Sequence, residues 1–174
     1  DLLKTIRKVA ATNSNVLLVG ETGTGKELFA REIHTAGSNN EAKFVSVNCG
    51  IRPVEQLEAQ LFGVSDGQPG LFQTAGAGTV FLDEIAQLPL GTQTELLRAI
   101  EDQEVMPSGA SEPIAVQTRI IAATSRDLMR EVSEGNFQED LFYRLDGVKI
   151  RIPPLRERLD DIPELAEYFT AKHC

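Results

Sequence analysis

Apolar positions along the chain follow two alternating rhythms. Leu2, Leu3, Ile6, Val9 and Ala10 recur at helical spacing until Asn13-Ser14-Asn15 interrupts them. Val16-Leu17-Leu18-Val19 is a short continuous apolar run, the pattern of a strand buried on both faces. A glycine-rich turn follows. Leu28, Phe29 and Ile33 then line one face of a helix expected over 27–36, and Gly37-Ser38-Asn39-Asn40 ends it. Phe44 to Val47 reads as a second strand and Val54 to Leu61 as a helix after Pro53. The stretch 63–78, rich in Gly, Ser, Gln and Ala, reads as a loop with a short helical turn at Leu71-Phe72.

Thr79 to Leu82 is the third strand and ends in Asp83-Glu84. Leu96, Leu97 and Ile100 align on a helix over 92–103. Ser108-Gly109-Ala110-Ser111 lies between short apolar pieces, so 105–116 is expected to be a hairpin or loop excursion. Ile120 to Thr124 is a fourth strand, 127–133 and 139–145 are helical, and 148–152 is a fifth strand stopped by Pro153-Pro154. A last helix is expected over 161–172. Strands alternating with helices predict an α/β fold with a mostly parallel five-stranded sheet. Such sheets bind ligands at the carboxyl ends of their strands. Gly20 onward, Asn48, Asp83-Glu84 and Thr124-Ser125 all lie at such ends.

Composition narrows this picture without redirecting it. The 174 residues suffice for one domain with a sizeable core, and no internal repeat or second boundary is visible. No apolar run approaches a bilayer's thickness, so no membrane association is expected. The first residues, Asp1-Leu2-Leu3-Lys4, lack the layout of a signal peptide and read as a helix under way in a fragment of a longer protein. Two cysteines, Cys49 and Cys174, argue against a disulfide framework and point to a reducing cytoplasm. Cys49 follows an apolar strand and reads as a small buried residue rather than a nucleophile. A net charge of −9 argues against direct collection of nucleic-acid phosphates, so any DNA contact belongs to another domain.

Gly20-Glu21-Thr22-Gly23-Thr24-Gly25-Lys26 follows a strand and opens a helix, the context a phosphate-binding loop requires. Glycines let backbone N–H groups turn inward, the helix N-terminus favours an anion, and Lys26 would meet the β- and γ-phosphates of ATP. Glu27 follows Lys26 where a Ser or Thr would ligate Mg²⁺. Asp83 would orient Mg²⁺, and Glu84 would polarise an attacking water. Thr124 either senses the γ-phosphate or caps the helix beginning near Asp127. Arg144 is either an arginine finger for a neighbouring subunit's phosphate or a surface charge four residues from Asp140.

As a set, Gly20 to Glu27, Val47-Asn48-Cys49, Gln60-Leu61-Phe62-Gly63, Phe81-Leu82-Asp83-Glu84-Ile85, Ile121-Ala122-Ala123-Thr124 and Pro153-Pro154-Leu155-Arg156-Glu157-Arg158 resemble the AAA+ domain of sigma-54-dependent transcription activators. The resemblance covers essentially the whole chain, and Glu27 is usual in that family. It implies a three-layer αβα core and ATP at the interfaces of dimers to hexameric rings. It also implies a small helical lid carrying a further sensor arginine, outside this sequence. By motif it assigns Asn48 as a switch partner restraining Glu84, Thr124 as sensor and Arg144 as a trans-acting arginine. A receiver domain upstream and a DNA-binding domain downstream are further implications.

Three departures stand out. The family's Gly-Ala-Phe-Thr-Gly-Ala segment is missing after Leu61-Phe62-Gly63, and the loop 64–72 is short. Gln138 replaces the arginine of Gly-x-Phe-Arg, and Thr124-Ser125 replaces Thr-Asn. The missing segment leaves sigma-54 polymerase without its contact, so remodelling is not expected. Similarly shortened relatives, such as the aromatic-amino-acid regulator, act with the housekeeping RNA polymerase. Gln138 removes a positive charge from the intersubunit site, so slow hydrolysis, or ATP used as a binding and assembly signal, is expected.

Overall fold

The structure is a computed structural model and describes residues 2–51, 53–163 and 170. Five parallel strands form its centre: β1 (Val16–Val19), β2 (Phe44–Asn48), β3 (Thr79–Asp83), β6 (Arg119–Thr124) and β7 (Val148–Arg151), in the order β2-β3-β6-β1-β7. A separate antiparallel pair, β4 (Glu104–Val105) and β5 (Ile114–Ala115), forms the expected excursion.

The strand pattern explains the layers. Along β1, Leu17 faces one side while Val16 and Leu18 face the other. In β3, Val80 and Leu82 oppose Phe81; in β6, Ile120 and Ala122 oppose Ile121 and Ala123. Central strands therefore read as unbroken apolar runs, because both faces are covered. One cover is made by α1 (Leu2–Ala10) and α2 (Lys26–Thr35), through Ile6, Val9, Ala30 and Ile33. The other is made by α3 (Val54–Phe62), α4 (Leu71–Ala75), α5 (Leu90–Glu101), α6 (Leu128–Ser133) and α7 (Glu139–Leu145), through Leu57, Leu61, Phe72, Leu96, Leu128 and Leu141. This is a three-layer αβα sandwich.

Most expected elements differ from the observed ones by one or two residues. The turn at Leu71-Phe72 is a five-residue helix, α4. Helix α5 begins at Leu90 rather than Thr92, because Pro89 stands just before the first turn, where a missing N–H costs nothing. The expected helix over 161–172 lies largely outside the described residues, as does Cys174.

The short loop after α3 is closed at its base. Phe62 and Phe72 stack with ring centroids 5.9 Å apart, bringing the ends of the loop together. Gly70 packs so tightly on the backbone of Leu61 and Phe62 and the Gly63 nitrogen that a Cβ there would collide. Beyond this pinch, Ser65 N donates to Ser108 O at 3.0 Å and Ser108 N donates to Gly63 O at 3.0 Å. The loop is thereby fastened to the β4–β5 excursion.

Candidate functional site

The carboxyl ends of β1, β3 and β6 converge on residues 20–26. Gly23 and Gly25 have φ of +83° and +84°, a backbone that only glycine adopts without cost, and this turns the loop into the start of α2. Lys26, the first residue of α2, is 6% exposed. Its ammonium donates to Gly20 O at 3.0 Å and Glu21 O at 3.3 Å, and meets Glu84 Oε1 at 3.4 Å. All three of its protons are thus directed at oxygen. Thr24 closes the turn by donating its hydroxyl to Glu21 O at 2.7 Å.

The loop is also braced from outside. Arg156 forks onto the Glu21 carboxylate at 2.8 and 2.6 Å, and Arg158 Nη2 donates to Thr24 O at 2.8 Å. The Arg156 hydrogen bonds hold the Glu21 carboxyl below its usual value. Sequence reasoning assigned no role to these arginines. Their one signal is a pair of cations two residues apart, behind Pro153-Pro154, with a loop carboxylate in need of a partner.

Asp83 ends β3 beside a cleft of about 210 Å³ lined also by Glu27, Ser46 and Asn48. Burial raises the Asp83 carboxyl above its usual value; Lys26 opposes this, while Glu84 and Glu27 add to it. A half-buried carboxylate among other carboxylates is a position where a cation relieves strain. Among the described residues no group of three His, Cys, Asp or Glu forms a metal cage. Mg²⁺ takes one or two carboxylates and completes its shell with water and substrate phosphates, and the Asp83 carboxylate is a donor of that kind. Glu27 lines the cleft but is itself ion-paired with Arg31 at 2.7 Å. Cys49 is buried next to this site, and burial, with the charges of Asp83 and Glu84, pushes its thiol up to about 12. It is a packing residue and no nucleophile.

Two expected contacts are replaced by others. Asn48 was expected to restrain Glu84. Instead its amide donates to Asp83 Oδ2 at 3.3 Å, and its own oxygen accepts from Gly50 N at 2.9 Å. The reason is register: Asn48 and Asp83 are partners in the β2–β3 ladder and share a face, whereas Glu84 lies one residue further on. Thr124 was expected to present its hydroxyl to phosphate or cap a helix. That hydroxyl is fully buried in a local turn, accepting from Arg126 N at 3.0 Å, while Asp127 caps α6 through Met129 N at 3.0 Å. Thr124 meets the phosphate loop through its carbonyl, which accepts from Gly20 N at 3.1 Å. The Glu84 carboxylate is held by the next residue, Ser125, whose Oγ donates at 2.8 Å and whose N–H donates at 3.3 Å, both to Oε2.

Arg144 lies away from these groups. It sits on the last turn of α7 and pairs with Glu101 of α5 at 2.7 Å, not with Asp140. Gln138, just before α7, is folded back: its amide donates to Leu90 O at 3.0 Å and Thr94 Oγ1 at 2.7 Å.

Comparison with known proteins extends this picture. The profile of the "Sigma-54 interaction domain" family matches residues 1–151. The response regulator protein PilR of Pseudomonas aeruginosa is 48% identical over 93% of this chain and 38% of its own length. The Nif-specific regulatory protein of Azotobacter vinelandii is 47% identical over 96% of this chain and 34% of its own length. This chain spans about a third of the length of the curated relatives it matches. Among solved structures, NtrX from Brucella abortus in complex with ADP superposes with a TM-score of 0.93 at 40% identity, over 98% of this chain and 39% of NtrX. The same protein in complex with ATP gives 0.91 at 40% identity, over 97% and 40%.

Proposed function

The chain belongs to the sigma-54 interaction domain family, AAA+ domains of bacterial transcriptional regulators, and we propose that it is a slow, Mg²⁺-dependent ATPase that assembles with copies of itself. The observation that carries this reading is Lys26, buried at the start of a helix with its ammonium set between the loop carbonyls and Glu84. A lysine buried at a helix N-terminus beside glycines is placed for a polyphosphate. The complexes of NtrX with ADP and ATP support a nucleotide at the equivalent place.

In this reading the amides of residues 20–26 cradle the phosphates and Lys26 neutralises their β and γ oxygens. Asp83 would hold Mg²⁺ together with phosphate oxygens, supplying positive charge to the leaving diphosphate. Glu84 accepts a proton as a water oxygen bonds to the γ-phosphorus. The bond to the β,γ-bridging oxygen breaks, and ADP departs with that electron pair. Asn48 steadies Asp83, and Thr124 fixes the loop through Gly20. Arg144 would serve the neighbouring subunit's phosphate once released from Glu101. The host is a cytoplasmic regulator that contacts DNA through another domain and acts on RNA polymerase without remodelling its sigma-54 form. The loop at 63–70, pinched at its base and fastened at Ser65 to the β4–β5 excursion, supports that last point, since it is short and tied close to the body of the domain.

The test is phosphate release over a range of protein concentrations with Mg·ATP. Glu84→Gln is expected to lower the rate by about 10²-fold or more, the usual worth of a positioned base. An unaltered rate would remove the enzymatic reading. Gln138, committed to α5 where the family carries an arginine, favours a second reading in which ATP drives assembly with no useful turnover. That reading predicts ATP-dependent sedimentation with a phosphate-release rate indifferent to Glu84. Open-complex formation by sigma-54 polymerase with the full regulator would overturn the output proposed here.

A further inference from the structure

The phosphate loop carries a charge of the wrong sign for its ligand. Glu21 is its second residue, and the Glu21 carbonyl accepts from Thr24 Oγ1 at 2.7 Å and from the Lys26 ammonium at 3.3 Å. The Glu21 carboxylate therefore lies within a side chain's length of the cation set to meet the phosphates. The chain as a whole carries −9, which adds to the repulsion of a polyanion rather than offsetting it. Other carboxylates nearby have cations of their own: Glu27 pairs with Arg31 at 2.7 Å and Glu84 with Lys26 at 3.4 Å. Glu21 has Arg156, whose two terminal nitrogens donate to one carboxylate oxygen each, at 2.8 and 2.6 Å. Such a fork fixes the direction of a carboxylate as well as neutralising it. Both side chains are more than half exposed, at 65% and 56%, so the pair adds little to the fold.

We propose that Arg156 sets the loop's affinity for polyphosphates by masking the Glu21 charge, so that a nucleoside di- or triphosphate meets Lys26 without an opposing carboxylate. This rests on the nucleotide-binding part of the proposed function and does not require hydrolysis. Arg156 belongs to the segment after β7, which is seated on the loop at two further points. Gly20 packs so closely on it that a Cβ would lie 2.9 Å from Ile152 O, and Arg158 Nη2 donates to Thr24 O at 2.8 Å. The mask is therefore conditional on that seat. When the segment lifts, Glu21 is uncovered beside the phosphates and affinity falls. By linkage, a bound polyphosphate favours the seated segment to the same degree.

A mask and a mechanical brace predict different signs. Arg156→Gln uncovers Glu21 and is expected to weaken ADP binding about fivefold, the order of one unit charge acting through partly solvated space. Glu21→Gln leaves Arg156 unpaired beside the loop and is expected to tighten ADP binding by about twofold or more. The double variant Glu21→Gln/Arg156→Gln has the wild-type net charge and should return to within about twofold of wild type. Arg156→Lys keeps the charge without the fork and should also stay within about twofold. The opposed effects of the single variants should shrink as salt rises from about 0.05 M to about 0.5 M. They should also be smaller for AMP, which has no β-phosphate to place in the loop.

Calorimetric titration with ADP and AMP, without Mg²⁺, measures each of these, and melting temperatures show that the variants are folded. Weaker binding in both single variants, with no recovery in the double variant, would make the pair a brace and overturn the mask. Unchanged ADP binding in Arg156→Gln would overturn it as well. A wild-type chain that binds no ADP would remove the nucleotide reading and the mask with it. The expected pattern of affinities in a chain that releases no phosphate would keep the mask and remove only the ATPase.

Discussion

The Asp83 and Glu21 carboxyls are shifted in opposite directions from their ordinary values, Asp83 up by burial and Glu21 down by its bonds to Arg156. The Asp83 carboxyl is raised, first by burial, so the folded chain holds its proton more firmly than the unfolded chain. As pH climbs through the carboxylate range, the fold must ionise a group it disfavours, and stability from this site falls. Glu21, lowered by Arg156, contributes stability that is present above the ordinary carboxylate range and lost as pH falls below it. Asp83→Asn is therefore expected to raise the melting temperature of the ligand-free chain at pH 7 while abolishing Mg²⁺-dependent phosphate release. Calorimetry with and without Mg·ATP checks both halves; a lower melting point without ligand would show that the Asn48 contact outweighs the burial cost. Asp83, Glu84 and Lys26 were legible in the sequence because each lies beside its motif in the chain. Ser125 and the changed partner of Asn48 were not, since they depend on ladder register and on one left-handed residue.

At the scale of elements, the periodicities located the strands because both sheet faces are buried, and the apolar runs have no alternative environment. What they missed is polar. Gln93 is fully buried on α5, and its amide donates to Leu88 O at 2.7 Å and Asn136 O at 3.0 Å. Its oxygen accepts from Gln138 N at 2.8 Å. A glutamine inside an amphipathic helix carries no sequence signal that it is a buckle between two elements, because its partners Asn136 and Gln138 lie 43 and 45 residues away. Gln93→Leu keeps the bulk but strands one N–H and two carbonyls. It is expected to cost about 2–3 kcal/mol, the penalty of leaving buried polar groups without partners. The shift of the urea midpoint at constant slope measures this. A change under about 0.5 kcal/mol would mean that water replaces the amide, and that α5 and α7 are joined by their apolar faces alone.

For the whole molecule, the issue is whether one chain's site is complete. Lys26, Asp83 and Glu84 gather at the strand ends, but no arginine from α7 reaches them, since Arg144 is paired with Glu101 and Gln138 is bonded to α5. In the ATPase reading proposed above, that charge would come from a neighbour, and a finger arginine is worth roughly 10³-fold or more in rate. If assembly supplies Arg144 in trans, the rate per site must rise with protein concentration. Gln138→Arg should then steepen that rise, because a second cation joins the same face, and should leave the dilute rate unchanged. The substitution loses the amide bonds to Leu90 and Thr94, but a guanidinium at that position still has protons for both acceptors. Phosphate release measured from dilute to concentrated protein, with sedimentation alongside, separates the cases. A rate raised equally at every concentration would place the new arginine in its own chain's site. No change at any concentration, despite ATP-dependent assembly, would mean that α7 does not face the neighbouring phosphate, leaving Lys26 the principal cation at the site.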